Sequence, residues 1–258
     1  MIGQLNLAGL TMPQASIEAI RLFAPKDAPA WVAFSGGKDS VVLLDLVRRA
    51  GISYEAHYAL TTIDPPELVW FIRREHPEVV IDRPKIPFLE RLTIRGFPQR
   101  QHKWCCREYK ERGGEDRRVF TGIRWQESAR RAHRGMTEQC QRYPGKSFVH
   151  PIIHWTTAEV WEYIHVRRLA YCSLYDEGWD RIGCLFCPNR PVAARVAEMQ
   201  RYPRYEAAFR KAFRRLYANR MQSNPAAVTR WADGDAMFDW WIDETSEKDT
   251  EDECVLFP

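Results

Sequence analysis

The chain has 258 residues, of which 45% are hydrophobic and 28% charged, and a formal net charge of +4. This composition belongs to a soluble globular protein with one sizeable core, and it excludes a disordered or low-complexity chain. No apolar run approaches the ~20 residues of a membrane-spanning helix. Residues 1–10 lack the basic start and clean apolar stretch of a secretory signal, so no membrane association and a cytoplasmic location are expected.

A short leader and a helix near 16–22 come first. Trp31-Val32-Ala33-Phe34 reads as a strand, and 39–50 as a helix that stops at Gly51, where a C′ glycine belongs. Between them lies Ser35-Gly36-Gly37-Lys38-Asp39-Ser40. A strand, a Gly-Gly turn and a helix start make an anion site. The turn lets backbone N–H groups approach a phosphate, and the helix N-terminus adds donors and the positive end of its dipole. Lys38 supplies a mobile charge, and Ser35 and Ser40 supply hydroxyls. The pattern is not a Walker A loop, which needs four residues between its glycines and Lys directly before Ser or Thr.

A second strand is expected over 54–60. Thr61-Thr62-Ile63-Asp64-Pro65-Pro66-Glu67 follows, with prolines suited to starting a helix that runs to about Glu75. Val79-Val80-Ile81 is a third short strand. Strand–helix–strand–helix–strand predicts an α/β fold with a doubly wound, mainly parallel sheet. Ligands in such sheets sit at the carboxyl ends of strands, where 35–40 and 61–64 would both lie.

Further strands are expected at 119–121 and 148–149. Thr156-Thr157-Ala158-Glu159 is a capping box before Val160-Trp161-Glu162-Tyr163-Ile164. Beyond Pro191 the pattern is helical, and Tyr205, Phe209, Phe213 and Leu216 recur at the spacing of a core-facing stripe. The expected organisation is an α/β nucleotide-binding domain over 1–190 and a helical region with an acidic, mobile tail over 191–258.

Charge is uneven. Residues 243–254 hold seven acidic residues and one lysine, whereas residues 95–142 hold 13 Lys/Arg and six Asp/Glu. The basic stretch suits nucleic acid or a polyanionic small molecule, and equally a solvated arginine-rich surface.

Cys105 and Cys106 are adjacent, and Cys184-Leu185-Phe186-Cys187 forms a Cys-x-x-Cys. Seven cysteines in such a chain argue for metal or redox chemistry rather than a disulfide framework. Four thiolates can complete a zinc tetrahedron or hold a cubane cluster. An adjacent pair projects its side chains in different directions, which suits two corners of a larger cluster better. Cys140 and Cys172 have no partner spacing and read as structural.

Residues 35–40 resemble the PP-loop of ATP pyrophosphatases, which cleave ATP between the α and β phosphates. Over roughly 30–190 the chain resembles the phosphoadenosine phosphosulfate reductase family. His102-Lys103-Trp104-Cys105-Cys106-Arg107 is similar to that family's Cys-Cys segment. Thr121-Gly122-Ile123-Arg124-Trp125-Gln126-Glu127-Ser128-Ala129-Arg130 is similar to its Gly-x-Arg-x-x-x-Ser-x-x-Arg segment. His150-Pro151-Ile152-Ile153-His154-Trp155 and Ile182-Gly183-Cys184-Leu185-Phe186-Cys187 are similar to two more of its elements.

The resemblance implies a 4Fe-4S cluster on Cys105, Cys106, Cys184 and Cys187. It implies Mg2+-dependent binding of ATP by Ser35, Gly36, Gly37, Lys38, Asp39, Ser40, Asp64, Gly122 and Arg124, with Lys38, Ser40 and Arg124 acting in catalysis. Arg124 and Arg130 would line the anion site, since Arg forks suit phosphate or sulfate oxygens. At Asp64 the family's Asp-Thr-Gly-like loop is replaced by Asp64-Pro65-Pro66, so helix capping competes with nucleotide contact there.

Three functions follow. An intact PP-loop together with four cysteines resembles the sulfur-incorporating proteins of DNA phosphorothioation. That implies adenylylation of a substrate, nucleic acid given the basic stretch, and a sulfur donor such as a cysteine desulfurase. The alternative is a thiol-dependent reductase of adenylyl sulfate or phosphoadenylyl sulfate. Its nucleophile would be Cys254, although Val255 and Phe257 replace the Gly and His of the expected motif. The third is a non-enzymatic iron–sulfur nucleotide sensor.

Overall fold

The computed structural model describes residues 1–6 and 8–243. In chain order the elements begin with α1 (Met12–Phe23), β1 (Ala30–Ala33), α2 (Lys38–Ala50), β2 (Tyr54–Ala59), α3 (Pro66–Glu75), β3 (Val80–Asp82) and α4 (Phe88–Arg95). Next come β4 (Arg118–Phe120), α5 (Ala129–Ala132), β5 (Thr137–Gln139), β6 (Ser147–Val149) and α6 (Thr157–Arg167). The last are α7 (Val192–Arg201), α8 (Pro203–Ser223) and α9 (Gly234–Asp243). Among the described residues no helix is long and apolar enough to cross a membrane.

The residues form two compact units. The first holds Met1–Ala59, Pro66–Asp82 and Arg112–Ile182. The second holds Leu60–Pro65, Arg83–Glu111 and the described residues from Gly183 on. These units do not follow a single cut at 190. Two excursions from the α/β order, at 60–65 and 83–111, join the helical region, because α4 packs its buried Phe88 and Leu92 against α8 rather than the sheet.

The first unit is built on a six-stranded sheet of order β3-β2-β1-β4-β6-β5. Every neighbouring pair is parallel except β5–β6. The doubly wound, mainly parallel α/β reading of the sequence therefore holds. Val32 and Phe120 are fully buried on neighbouring central strands, paired in register. Helix α2 is apolar nearly all round, with Val42, Leu43, Leu44, Leu46 and Val47 inaccessible, and it packs on α1 and α6. A helix buried on most faces needs this pattern rather than a single stripe. The capping box at Thr156 and Glu159 forms as expected. A second one, between Thr11 and Gln14, starts α1. Strand β5 was not expected, because Thr137-Glu138-Gln139 is a short, polar edge with no apolar alternation.

In the second unit α8 lies against α4, α7 and α9. The stripe read from the sequence is its core face. Phe209, Phe213 and Leu216 are buried, with Phe209 stacked on Trp241 at 5.9 Å and Phe213 meeting Phe238 at 5.3 Å. Such aromatic pairs each contribute about 0.5–1.5 kcal/mol beyond the area they bury. The acidic-tail reading falls, from residue 244 on, outside the described residues, as does Cys254.

Candidate functional site

In the first unit, Ser35 to Ser40 link the carboxyl end of β1 to α2. Gly36 sits at φ +71°, and a Cβ there would lie 2.6 Å from Leu68 Cδ1 and 2.8 Å from Ile72 Cδ1, so only glycine fits. Gly37 is the extended N-cap of α2, with no side chain to cap the helix. The hydroxyl of Ser40 ties the turn together instead. It donates to Gly37 O at 2.8 Å and accepts from Ser35 N–H at 3.2 Å. Ser35 Oγ lies 3.2 Å from Ser40 Oγ and accepts from Gly37 N–H at 3.4 Å.

Lys38 is 7% exposed, and its Nζ is 3.3 Å from Asp39 Oδ2. The other carboxylate oxygen of Asp39 accepts from Arg124 Nε at 2.7 Å. Arg124 is 2% exposed and donates also to Trp155 O at 3.0 Å and Thr157 Oγ1 at 3.2 Å. One carboxylate thus lies between two cations at the start of a helix. The structure brings Arg124 to the 35–40 loop through Asp39, and its guanidinium holds that carboxylate in place. Burial of such a chain of charge needs these additional hydrogen bonds to offset desolvation.

Gly122 follows β4 and faces the first turn of α2. A Cβ at this position would stand 2.9 Å from Asp39 O and 3.2 Å from Ser40 N. Its contribution is close approach of backbone to backbone. Arg130 lies exposed on the short helix α5.

Tyr175 is a member of this site that no sequence motif identified. Its hydroxyl accepts from Lys38 N–H at 3.0 Å, and its ring centroid is 5.7 Å from Lys38 Nζ. Burial pushes the phenol above its ordinary range, so it stays protonated. Lys38 and Tyr175 are 137 positions apart, so no local pattern could have signalled the pairing.

Asp64 belongs to the second unit. It is 4% exposed, its carboxylate accepts from Thr61 N–H at 2.7 Å, and its carbonyl accepts from the Tyr205 hydroxyl at 3.2 Å. It closes a turn before Pro65-Pro66 and lies near the Lys110 ammonium.

The same unit gathers the four cysteines. Cys105 and Cys106 sit at the start of a π-helical turn, Cys106–Lys110. Cys184 and Cys187 flank Phe186, whose φ of +55° is a strained value for a bulky side chain. The strain is held by two bonds, Leu185 N–H to Ile63 O at 2.9 Å and Phe186 N–H to Glu198 Oε2 at 2.6 Å. All four cysteines line one cavity with apolar walls that include Ile63, Phe88 and Trp241.

Cys184 Sγ donates to Thr61 Oγ1 at 3.4 Å. A hydrogen bond from Cys105 holds the Cys106 thiol below its ordinary range, helped by the charges of Lys110 and Lys103, while the same bond and burial push Cys105 up. Burial pushes the Cys184 thiol up, and the Lys110 ammonium opposes it.

Among the described residues no group of three or more His, Cys, Asp or Glu is gathered for one metal ion. A cluster takes one thiolate at each of several irons, so it needs sulfurs around a cavity instead. The donor set fits such a group, because the lining holds four thiols and one lysine with no imidazole or carboxylate. Cys172 is fully buried, and neither it nor Cys140 lines this cavity.

The model of the phosphoadenosine phosphosulfate reductase domain matches residues 29–190. An uncharacterized protein of Methanocaldococcus jannaschii is 32% identical over 189 residues, 68% of this chain and 38% of that protein. A second protein of that organism is 28% identical, and the match spans 44% of its length, so the chain covers less than half of either relative. An adenosine 5'-phosphosulfate reductase of Bacillus anthracis is 29% identical over 167 residues, 60% of this chain and 74% of that enzyme. Among solved structures, phosphoadenylyl-sulfate reductase of Candida auris superposes with a TM-score of 0.54 at 19% identity. That match covers 66% of this chain and 88% of the other, and it speaks to the fold alone. With its sheet order, its strand–Gly-Gly–helix loop and a family match over more than half its length, the chain belongs to the phosphoadenosine phosphosulfate reductase domain family.

Proposed function

We propose that this chain is a PP-loop ATP pyrophosphatase with a 4Fe-4S cluster, adenylylating a nucleic-acid acceptor for sulfur incorporation as in DNA phosphorothioation. The observation that carries the reading is the Lys38–Asp39–Arg124 chain of charge at the start of α2. A loop with no diphosphate to handle has no need of a buried lysine held by a carboxylate that is itself held by a buried arginine.

ATP enters with its Mg2+ as substrate. The acceptor oxygen forms a bond to the α-phosphorus while the bond from that phosphorus to the bridging oxygen breaks, and pyrophosphate leaves. Lys38 offsets the charge that builds on the departing diphosphate. Asp39 keeps the ammonium in place, and Arg124 orients Asp39. Ser35 and Ser40 hold the turn so that its backbone donors face the anion. Adenylate is then a good leaving group: the terminal sulfur of a persulfide on a donor such as a cysteine desulfurase bonds to the acceptor as AMP departs. A thiol reductant then cleaves the remaining S–S bond, leaving sulfur on the acceptor and forming a disulfide with the donor cysteine. Cys105, Cys106, Cys184 and Cys187 would hold the cluster, which when bound supplies iron able to carry an electron.

The charge distribution supports a nucleic-acid acceptor. The described residues of the second unit hold 18 Lys/Arg against 10 Asp/Glu. On α8, Arg204, Lys211 and Arg215 fall on one face at spacings of seven and four, all exposed. They have no ion-pair partner among the described residues, whereas Arg210 and Arg214 beside them pair with Glu206, Asp235 and Asp239. A row of free cations along a helix suits a phosphodiester backbone.

The Bacillus relatives named as reductases support a second reading, thiol-dependent reduction of adenylyl sulfate by Cys254. Anaerobic incubation with α-labelled ATP, and separately with adenylyl sulfate and a thiol reductant, decides between them. AMP and pyrophosphate support the first reading. Sulfite that disappears in Cys254→Ser replaces it with the second, and neither product leaves a nucleotide sensor.

A further inference from the structure

The hydrogen bonding of Tyr175 does not balance within the protein. A phenol hydroxyl has one proton to donate and lone pairs to accept with. The oxygen accepts from Lys38 N–H at 3.0 Å, and the Tyr175 proton goes to no described residue. A Cβ on Gly37 would stand 3.4 Å from the oxygen, an ordinary van der Waals contact, so the turn itself borders the hydroxyl. The ring is fixed by edge contacts with Trp161 at 5.1 Å and Tyr171 at 6.4 Å, so the hydroxyl has little freedom to turn away. Its surroundings are Lys38, whose ammonium lies over the ring, and the Gly36-Gly37 turn.

We propose that Tyr175 is a binding residue of the phosphate loop, donating its hydroxyl proton to the diphosphate of a nucleotide held by residues 35–40. The inference rests on the nucleotide-binding reading above. Having accepted from Lys38 N–H, the oxygen is polarised, and its own O–H becomes a better donor. An anion entering the turn therefore meets the Lys38 ammonium and a neutral phenol O–H side by side, each fixed relative to α2. The alternative geometry is a plug, in which the hydroxyl occupies an amide that the phosphate itself needs and must be expelled first. The two make opposite forecasts for removal of one oxygen atom.

The test is calorimetric titration of the full chain with Mg-ATP, Mg-pyrophosphate and adenosine, before and after Tyr175→Phe, which keeps the ring and its contacts. Loss of a hydrogen bond to a charged group predicts roughly 10- to 100-fold weaker binding of ATP and pyrophosphate. Adenosine, which has no phosphate, should bind both proteins equally, and a merely structural role of Tyr175 would not produce that split. Unchanged or tighter pyrophosphate binding in Tyr175→Phe overturns the proposal, as does equal weakening of all three ligands. If the unsubstituted chain binds neither ATP nor pyrophosphate, the nucleotide reading itself fails, and that result is distinct from the others.

Discussion

Arg124 Nε donates to Asp39 Oδ1 across 2.7 Å, joining two residues 85 positions apart, while Asp39 Oδ2 faces Lys38 Nζ at 3.3 Å. Arg124 therefore acts on the 35–40 loop by fixing a carboxylate that in turn holds a lysine. Removing Arg124 should leave Asp39 with one cationic partner in a largely buried place. We expect Arg124→Ala to lose about 3–5 kcal/mol of stability, as breaking a buried pair from one side does. Arg124→Lys should recover only part of it, because one ammonium cannot serve Asp39, Trp155 O and Thr157 Oγ1 at once. Urea unfolding monitored by fluorescence measures both, and an unchanged midpoint in Arg124→Ala contradicts the argument.

Lys38→Ala should lower pyrophosphate release by about 10²–10³-fold, the usual effect of deleting one charged stabiliser of a transition state. The fold should persist, because Asp39 keeps its bond to Arg124 and the loop keeps its Ser40 hydrogen bonds. Release at the wild-type rate, with far-UV circular dichroism unchanged, would exclude Lys38 from the chemistry.

Anaerobically prepared protein should be brown and contain about four iron and four acid-labile sulfide per chain. Cys106→Ser or Cys184→Ser should lose both, since each removes one of the sulfurs lining the cavity. Elemental analysis that finds one zinc and no sulfide would reverse the assignment.

His76 gives a pH dependence. Its ring is 6% exposed, packed 4.8 Å from Phe34 and 5.3 Å from Phe71, and burial together with the Arg48 charge lowers its pKa. An unfolded chain takes up this proton near pH ~6.5 while the folded one still refuses it. The contribution of His76 is thus fully present above about pH 6.5 and is lost as pH falls toward the folded value. Thermal midpoints measured from pH 8 to pH 5 should fall less steeply for His76→Phe than for the parent. Parallel curves would show that the ring takes no part.

Neutralising the row on α8 tests the acceptor. Arg204→Gln, Lys211→Gln and Arg215→Gln combined should reduce the dependence of log affinity on log salt by about 2–3 for duplex DNA, since each phosphate that a cation neutralises adds about 0.9 to that slope. A slope that does not move would show that this face is solvated and engages no backbone.

The parts of the molecule written in consecutive residues were legible in the chain alone. The strand, the Gly-Gly turn and α2 follow one another from Ala30 to Ala50, and the need for glycine at 36 shows in the chain itself. The capping box at Thr156 and the core stripe of α8 are equally local, because a helix brings positions three and four apart onto one face. The adjacent and the spaced cysteine pairs are equally visible in consecutive residues, as four soft donors. Strand β5 escaped because a polar edge strand needs no apolar pattern, only a partner with free backbone groups.

What the sequence by itself determined, then, is the strand–Gly-Gly–helix loop at 35–40, the doubly wound order of strands and helices, and the set of thiols. Only the tertiary structure decided who works with whom. It set Tyr175 on the amide of Lys38, turned Arg124 toward Asp39, and gathered 60–65 and 83–111 into the helical unit with all four cysteines. The reason is physical. Backbone preferences and amphipathic periods act over a few residues and leave a trace in the sequence. A hydroxyl or guanidinium chooses its partner by where the packed elements place it, and that choice leaves no trace along the chain.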